Sequence, residues 1–419
     1  MFFYYWLVGI LPLMEHAIWG QKIGPLTIFE YIGVACFIYA CAHIVARGVF
    51  PPLLSTWETR SALLLFLIVL FSALIKGSGI GLGDHAFILY TSSILLVFIS
   101  ISIVDTLSRL RWTVLALVGS YGFGSLYVVR EWQQGHNLSS NFRPEGWIVG
   151  DVNYFSATAI FGFVLAFYFM HGKRPRWEKA YCIACLLLTV LAITLGASRG
   201  GFFGLVVASL FLVWHTKNRA RNLIFMSALV LPLSLALPIS PLHRYLDPSM
   251  DYGSTQFHLE AWKAGLHMIE AHPIAGIGLG NFKPLMPLYM SVTPGTGVNV
   301  DTMAHNMFIE IAAELGLPAL LIFLSIFWCT YRTLGRLRRS SSTHALIRET
   351  ASALQAGLVG FAVAGSFVSA EYEKTSWMGF ALMFCLMPLA KSQKLVKQVH
   401  GEMPIASVEE DLATHAFNS

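Results

Sequence analysis

The sequence predicts an all-α polytopic membrane protein of about twelve transmembrane helices. The chain is 56% hydrophobic and only 12% charged, roughly half the charged share of a soluble domain. Apolar runs of spanning length recur from Met1 to about Leu389, with no polar block long enough to fold as an aqueous domain. The basic residues, finally, gather in alternate connections between those runs. Residues 1–390 are therefore expected to form a single transmembrane domain and residues 391–419 a solvated tail.

A spanning helix needs roughly 20 mostly apolar residues. On that measure helices are expected over 2–20, 26–46, 61–76, 86–104, 112–130, 152–171, 180–197, 201–215, 222–239, 305–331, 346–370 and 375–390. The third is short, and only Ser198-Arg199-Gly200-Gly201 divides the seventh from the eighth. The first run lacks a basic n-region and a small-residue cleavage site, so it reads as a retained helix rather than a cleaved signal. About two thirds of the 28 Lys and Arg follow even-numbered helices, among them Lys217, Arg219 and Arg221, and Arg332, Arg336, Arg338 and Arg339. The positive-inside rule then puts those connections and both termini in the cytoplasm. The net charge of +5 is small and spread along the chain, which argues against nucleic-acid binding. All six cysteines lie in apolar runs, and the C-x-x-C of Cys182 and Cys185 reads as lipid-embedded helix rather than a redox or metal motif.

The long stretch 240–304 falls on the outer side of this topology, and loops of that length are usually functional or disordered. Phe257, Leu259, Trp262, Leu266 and Ile269 recur in it at near-helical spacing, predicting an amphipathic helix at the membrane surface. The rest, punctuated by Gly276, Gly278, Gly280, Pro284 and Pro287, is expected to be irregular.

Arg199 is the most informative residue, because a guanidinium between two apolar runs is costly unless it meets a polar cavity, an anion or the interface. Two glycines for a tight turn, a new helix N-terminus and the arginine together suit a phosphate; the alternative is an arginine reaching to lipid headgroups. His305 opens the tenth segment, and Asn306, Glu310 and Glu314 follow at i+4 intervals as a polar stripe that must face the bundle interior. A histidine there suits a general base toward a hydroxyl or an anion contact, or else simple packing at a helix start. Arg130, Glu131, Arg143, Glu145 and Asp151-Val152-Asn153-Tyr154 form a third polar group, and Glu371, Tyr372, Glu373 and Lys374 a fourth; such turns are commonly solvated. The G-I-G-L-G-N-F run at Gly276 has no strand-turn-helix context for a dinucleotide. No metal-ligand motif is present, so neither a metal nor another cofactor is expected.

The runs A-S-R-G-G-F-F-G-L, W-K-A-G-L-H-M-I-E-A-H-P-I-A-G-I-G-L-G-N-F and A-H-N-M-F-I-E-I-A-A-E-L-G-L-P-A-L-L, in that order between about Val190 and Phe323, resemble the bacterial O-antigen ligase and polymerase family. The resemblance implies a GT-C-like membrane glycosyltransferase that needs no metal and uses an undecaprenyl-diphosphate-linked glycan at the periplasmic face of the inner membrane. It makes Arg199 a diphosphate contact and His305 the catalytic or acceptor-activating histidine. It implies one departure: family members commonly carry an arginine four residues before the loop tryptophan, and here that residue is His258, before Trp262. His258, Lys263, Lys283 or Arg244 is then expected to take the anion contact, with Asn306, Arg143 and Tyr372 as further substrate contacts. A ligase acting on lipid A core is favoured over a polymerase of O-antigen or exopolysaccharide, and protein O-glycosylation comes third. The rival from another class is a twelve-helix flippase or transporter, against which stands the gathering of polar residues at one face without two related halves.

Overall fold

The computed structural model describes residues 1–14, 19–48, 55–75, 85–134, 151–236, 241–242, 252–290 and 303–401. It is an all-α membrane protein: among these residues nine helices are long and apolar enough to cross a bilayer. The chain runs α1 (Phe2–Ile10), a small hairpin of β1 (Lys22–Ile23) and β2 (Leu26–Thr27), α2 (Ile28–Arg47), α3 (Trp57–Ile75), α4 (His85–Ile103), α5 (Leu107–Gln134), α6 (Val152–Met170), α7 (Arg176–Leu195), α8 (Arg199–Trp214) and α9 (Arg219–Ala236). Three helices of the long loop follow, α10 (Tyr252–Ala271), α11 (Phe282–Tyr289) and α12 (Met307–Leu315), and then α13 (Leu317–Arg339), α14 (Ala345–Ala364) and α15 (Lys374–Gly401).

Every predicted apolar segment holds a helix, with two departures. The first is short, ending in a 3-10 turn over Leu11–Leu13 where Pro12 removes a backbone donor. The tenth is two helices, because Gly316 (φ 85°, ψ 169°) turns the chain between α12 and α13 in a conformation essentially reserved for glycine. The Glu310–Glu314 stripe thus belongs to a short helix of the long loop, with His305 just before it, and the span proper begins at Leu317.

α6 is the axis of the bundle. Nearly all its residues are buried against α5, α7, α8 and α14, whereas α2 and α9 turn most of their apolar surface outward. α15 packs on α4, and α3 on α4 and α13, completing the other side. The loop helices have a small core of their own, with Ala261, Ala264 and Met268 of α10 meeting Phe282, Met286 and Ala313.

That core corrects two expectations. The predicted amphipathic helix is present, but its packed face is the line of small residues; Leu259 and Leu266 are exposed. Nor is the segment after it wholly irregular, since α11 forms at Phe282 and the preceding turn is pinned to α12. The Ile277 and Gly278 amides donate to the Ala313 and Glu314 carbonyls at 2.8 and 3.0 Å, and the Leu317 amide donates to the Pro273 carbonyl at 2.8 Å. Gly276 and Gly316 make this possible, for a Cβ on either would come within 2.2 Å of a backbone carbonyl oxygen, that of Glu314 or Ile274. Two of the three sequence runs singled out above are therefore braced against each other.

Candidate active site

The site is built at the start of α8. Between α7 and α8 the chain reverses through Gly196, Ala197 and Ser198; Ala197 carries the left-handed turn at φ 47°. Ser198 caps α8, its Oγ accepting from the Gly201 amide at 3.3 Å. Gly200 and Gly201 are thus not the turn but the first turn of the helix, and they are small because neighbours press on them. A Cβ on Gly200 would lie 2.6 Å from the Phe367 side chain, and one on Gly201 2.4 Å from that of Ser156. Arg199, half-buried, is the first residue of α8, where backbone N–H groups lack intrahelical acceptors.

His305 precedes α12 rather than opening it: Asn306 is the cap, its Oδ1 accepting from the Phe308 and Ile309 amides at 3.0 and 3.2 Å. His305 has φ 48°, and it and Ala197 are the non-glycine residues with positive φ among those described. Both strained positions (about 1–2 kcal/mol each) therefore flank the candidate chemistry, where such strain is commonly kept.

The ring of His305 stands 5.0 Å, centroid to centroid, from that of His258 and 5.8 Å from that of Phe257, both on α10. His258 adjoins Trp262 at 6.4 Å, Trp262 adjoins Phe367 at 6.2 Å, and Phe367 covers Gly200 next to Arg199. A continuous chain of contacts thus joins the two histidines to the N-terminus of α8. The buried Trp262 Nε1–H has no hydrogen-bond acceptor among the described residues, leaving a donor in the middle of this chain.

The His305 loop is held from behind. Tyr372 Oη donates to Met303 Sδ at 2.8 Å, and Tyr154 of α6 reaches the same sulfur at 3.7 Å. The Met307 amide donates to the Val368 carbonyl at 3.2 Å, and the Ser369 hydroxyl donates to the Glu310 carboxyl, which also accepts from the Ala304 amide. Glu314 accepts from the Phe282 amide at 3.0 Å. The turn of Glu371, Tyr372 and Glu373 is accordingly buried, not solvated as expected, and Trp377 Nε1 donates to the Glu371 carbonyl at 2.7 Å.

Burial sets the protonation states. It lowers the pKa of His305 below the ordinary imidazole value, partly opposed by the Asp151 carboxylate at the start of α6, so the imidazole is neutral at neutral pH. Burial, with Glu314 adding to it, pushes the Glu310 carboxyl up to about 8, and burial raises that of Glu371 well above its usual range. These are neutral supports rather than charged ligands. Among the described residues no three His, Cys, Asp or Glu side chains are grouped as around a metal ion.

Residues 183–324 match the family model described as O-antigen ligase. That segment, about a third of the chain, is similar to the O-antigen ligase family. No curated protein matches the chain. The matched ligase segment runs from α7 into α13 and contains Arg199, His258, Lys283, His305 and Asn306. The structure brings His258 and His305 together and ties both to the Arg199 turn; Asn306 caps α12, and Lys283 is exposed on the first turn of α11. Tyr372 is buried behind the His305 loop. Arg143 and Arg244 lie outside the described residues. Sequence reasoning missed Phe367, Met303 and Ser369, which carry no mark in apolar or small-residue surroundings. It named Asp151 and Tyr154 only as part of a polar run, and their capping and packing places were the missing information.

Proposed function

We propose that this protein, similar over residues 183–324 to the O-antigen ligase family, transfers a glycan from undecaprenyl diphosphate to an acceptor hydroxyl, at the periplasmic face of the inner membrane and with both termini in the cytoplasm. The observation that carries the reading is the convergence of a neutral, half-buried histidine with the arginine-bearing N-terminus of α8 through His258, Trp262 and Phe367. The acceptor oxygen attacks the anomeric carbon of the donor sugar, and the bond from that carbon to the diphosphate oxygen breaks with its electron pair. His305 accepts the proton that the acceptor loses. Arg199 and the positive N-terminal end of α8 stabilise the negative charge gathering on undecaprenyl diphosphate, a preorganised electrostatic contribution. His258, facing His305, is the second basic group toward that anion. Lipid A core is the favoured acceptor, ahead of a growing O-antigen or exopolysaccharide chain; a protein hydroxyl comes third, because the described residues of the loop form no large domain that would recognise a protein.

The test is purified protein with lipid-linked glycan and lipid A core. Transfer proceeds and survives excess EDTA, since the basic residues carry the leaving-group charge. His305→Ala at wild-type abundance abolishes product while the donor still binds and, in cells, accumulates on the periplasmic leaflet. Product formed at the wild-type rate by His305→Ala would remove the catalytic assignment; donor held on the cytoplasmic leaflet would favour a flippase; EDTA-sensitive transfer restored by magnesium would mean a metal carries the charge instead.

A further inference from the structure

The helix that begins with Arg199 ends at a second, very different place. Where α8 meets α9 a cavity of about 1040 Å³ opens to the surface, walled by Trp214, His215, Lys217, Arg219 and Arg221 of the connection and by Arg338 in the last turn of α13. Among the described residues no Asp or Glu lines it. Nearby at this end of the bundle, basic residues have carboxylate partners: Arg111 pairs with the buried Glu178, Arg174 with Glu349 and Arg109 with Asp105. A bias toward basic residues on one side of a membrane accounts for charge at helix ends. It does not account for two segments more than a hundred residues apart turning that charge into one cavity with no carboxylate among the described residues that line it.

The walls are built. Asn222 Nδ2 donates to Thr216 Oγ1 at 3.0 Å, closing the α8–α9 turn, and His215 Nδ1 bonds the Phe211 carbonyl at 2.8 Å. The Arg219 guanidinium lies 5.1 Å over the Trp214 ring. Arg338 Nε, buried, has no hydrogen-bond partner among the described residues. Partial burial, and the charges of Arg338, Arg219 and Arg339, hold His215 below the ordinary imidazole pKa against the pull of the Phe211 carbonyl, so the field here is positive. One turn back from Trp214 is Leu210, and one turn on from Arg219 is Leu223; Trp214, Leu210 and Leu223 are exposed. A polar, cationic basket thus sits at the helix ends above an apolar strip.

We infer that this cavity binds the headgroup of an anionic phospholipid, its phosphate held by Arg219, Arg221 and Arg338 and its acyl chains lying along α8 and α9. The apolar strip selects a lipid over a free anion, and the cationic lining selects anionic over zwitterionic headgroups. The site owes nothing to the glycan-transfer reading and stands or falls separately.

The experiment measures retention of phosphatidylglycerol against phosphatidylcholine by native mass spectrometry of the full-length protein in detergent. Wild type prefers phosphatidylglycerol. Arg219→Gln with Arg221→Gln weakens that binding about 25-fold, roughly fivefold per neutralised residue. The pair Arg219→Lys and Arg221→Lys retains it within a few fold, which separates lost charge from lost fold. Arg332→Gln with Lys391→Gln, at another cavity of the same end, leaves binding within twofold. No preference in the wild type, an equal loss in the Arg332 and Lys391 variant, or displacement by millimolar inorganic phosphate would each overturn the lipid site.

Discussion

A positively charged side chain between two apolar helices and a neutral histidine in a left-handed turn make different demands on any substitution. Arg199 offers a planar fork matched to two phosphate oxygens, which an ammonium lacks. Arg199→Lys, at equal protein in the membrane, is therefore expected to lose at least tenfold in transfer rate; wild-type turnover would make Arg199 a residue that only reaches for headgroups. In the proposed mechanism His305 acts as a base in its neutral form. Its lowered pKa puts the acid limb of kcat/KM below pH 6.5, the ordinary imidazole value. Asp151 stabilises the imidazolium, so Asp151→Asn lowers that pKa further and moves the acid limb to still lower pH; a shift to higher pH in the measured profile would contradict the pairing. Arg199 and His305 were legible in the sequence because charge and titratable groups are expensive in apolar surroundings and so stand out. Phe367, which links Trp262 to Gly200, was not, since one more phenylalanine in an apolar run carries no such cost.

At the level of elements, the sequence periodicity located the spans well and the break in the tenth poorly. A run of apolar residues looks the same whether it continues as one helix or turns at a glycine, and the carbonyl that Gly316 admits, that of Ile274, lies 42 residues away in the chain. The same blindness made the packed face of α10 appear to be its bulky residues, when close helix approach favoured Ala261, Ala264 and Gly265. The brace between α12 and the Gly276 turn gives a clear expectation. Gly316→Ala costs about 1–3 kcal/mol for the backbone conformation alone, before the clash with Ile274, and lowers the thermal midpoint of the purified protein. Gly33→Ala on outward-facing α2, where a Cβ meets nothing within 4 Å, is neutral or slightly stabilising. Equal melting of the two variants would mean that the brace does not stabilise the fold.

The whole molecule puts Arg199, His258 and His305 at one end of the bundle and the Arg219–Arg338 basket at the other. Cysteines introduced at Ser254 and Thr296 should react with an impermeant thiol reagent in intact spheroplasts and one at Ser341 should not, against a background lacking accessible native thiols; the reverse pattern would move the transfer site to the cytoplasm. Depth can be read from α8 itself. With 16 residues it is ~24 Å long, shorter than the ~30 Å hydrocarbon layer. With Trp214 and the basic turn beyond it set at one boundary, a helix of this length would leave Arg199 several ångströms short of the other. A lipid-borne diphosphate would then not rise into open water to react. It would sink into a hydrated dimple in the bilayer, and its co-substrate would have to lean down to meet it.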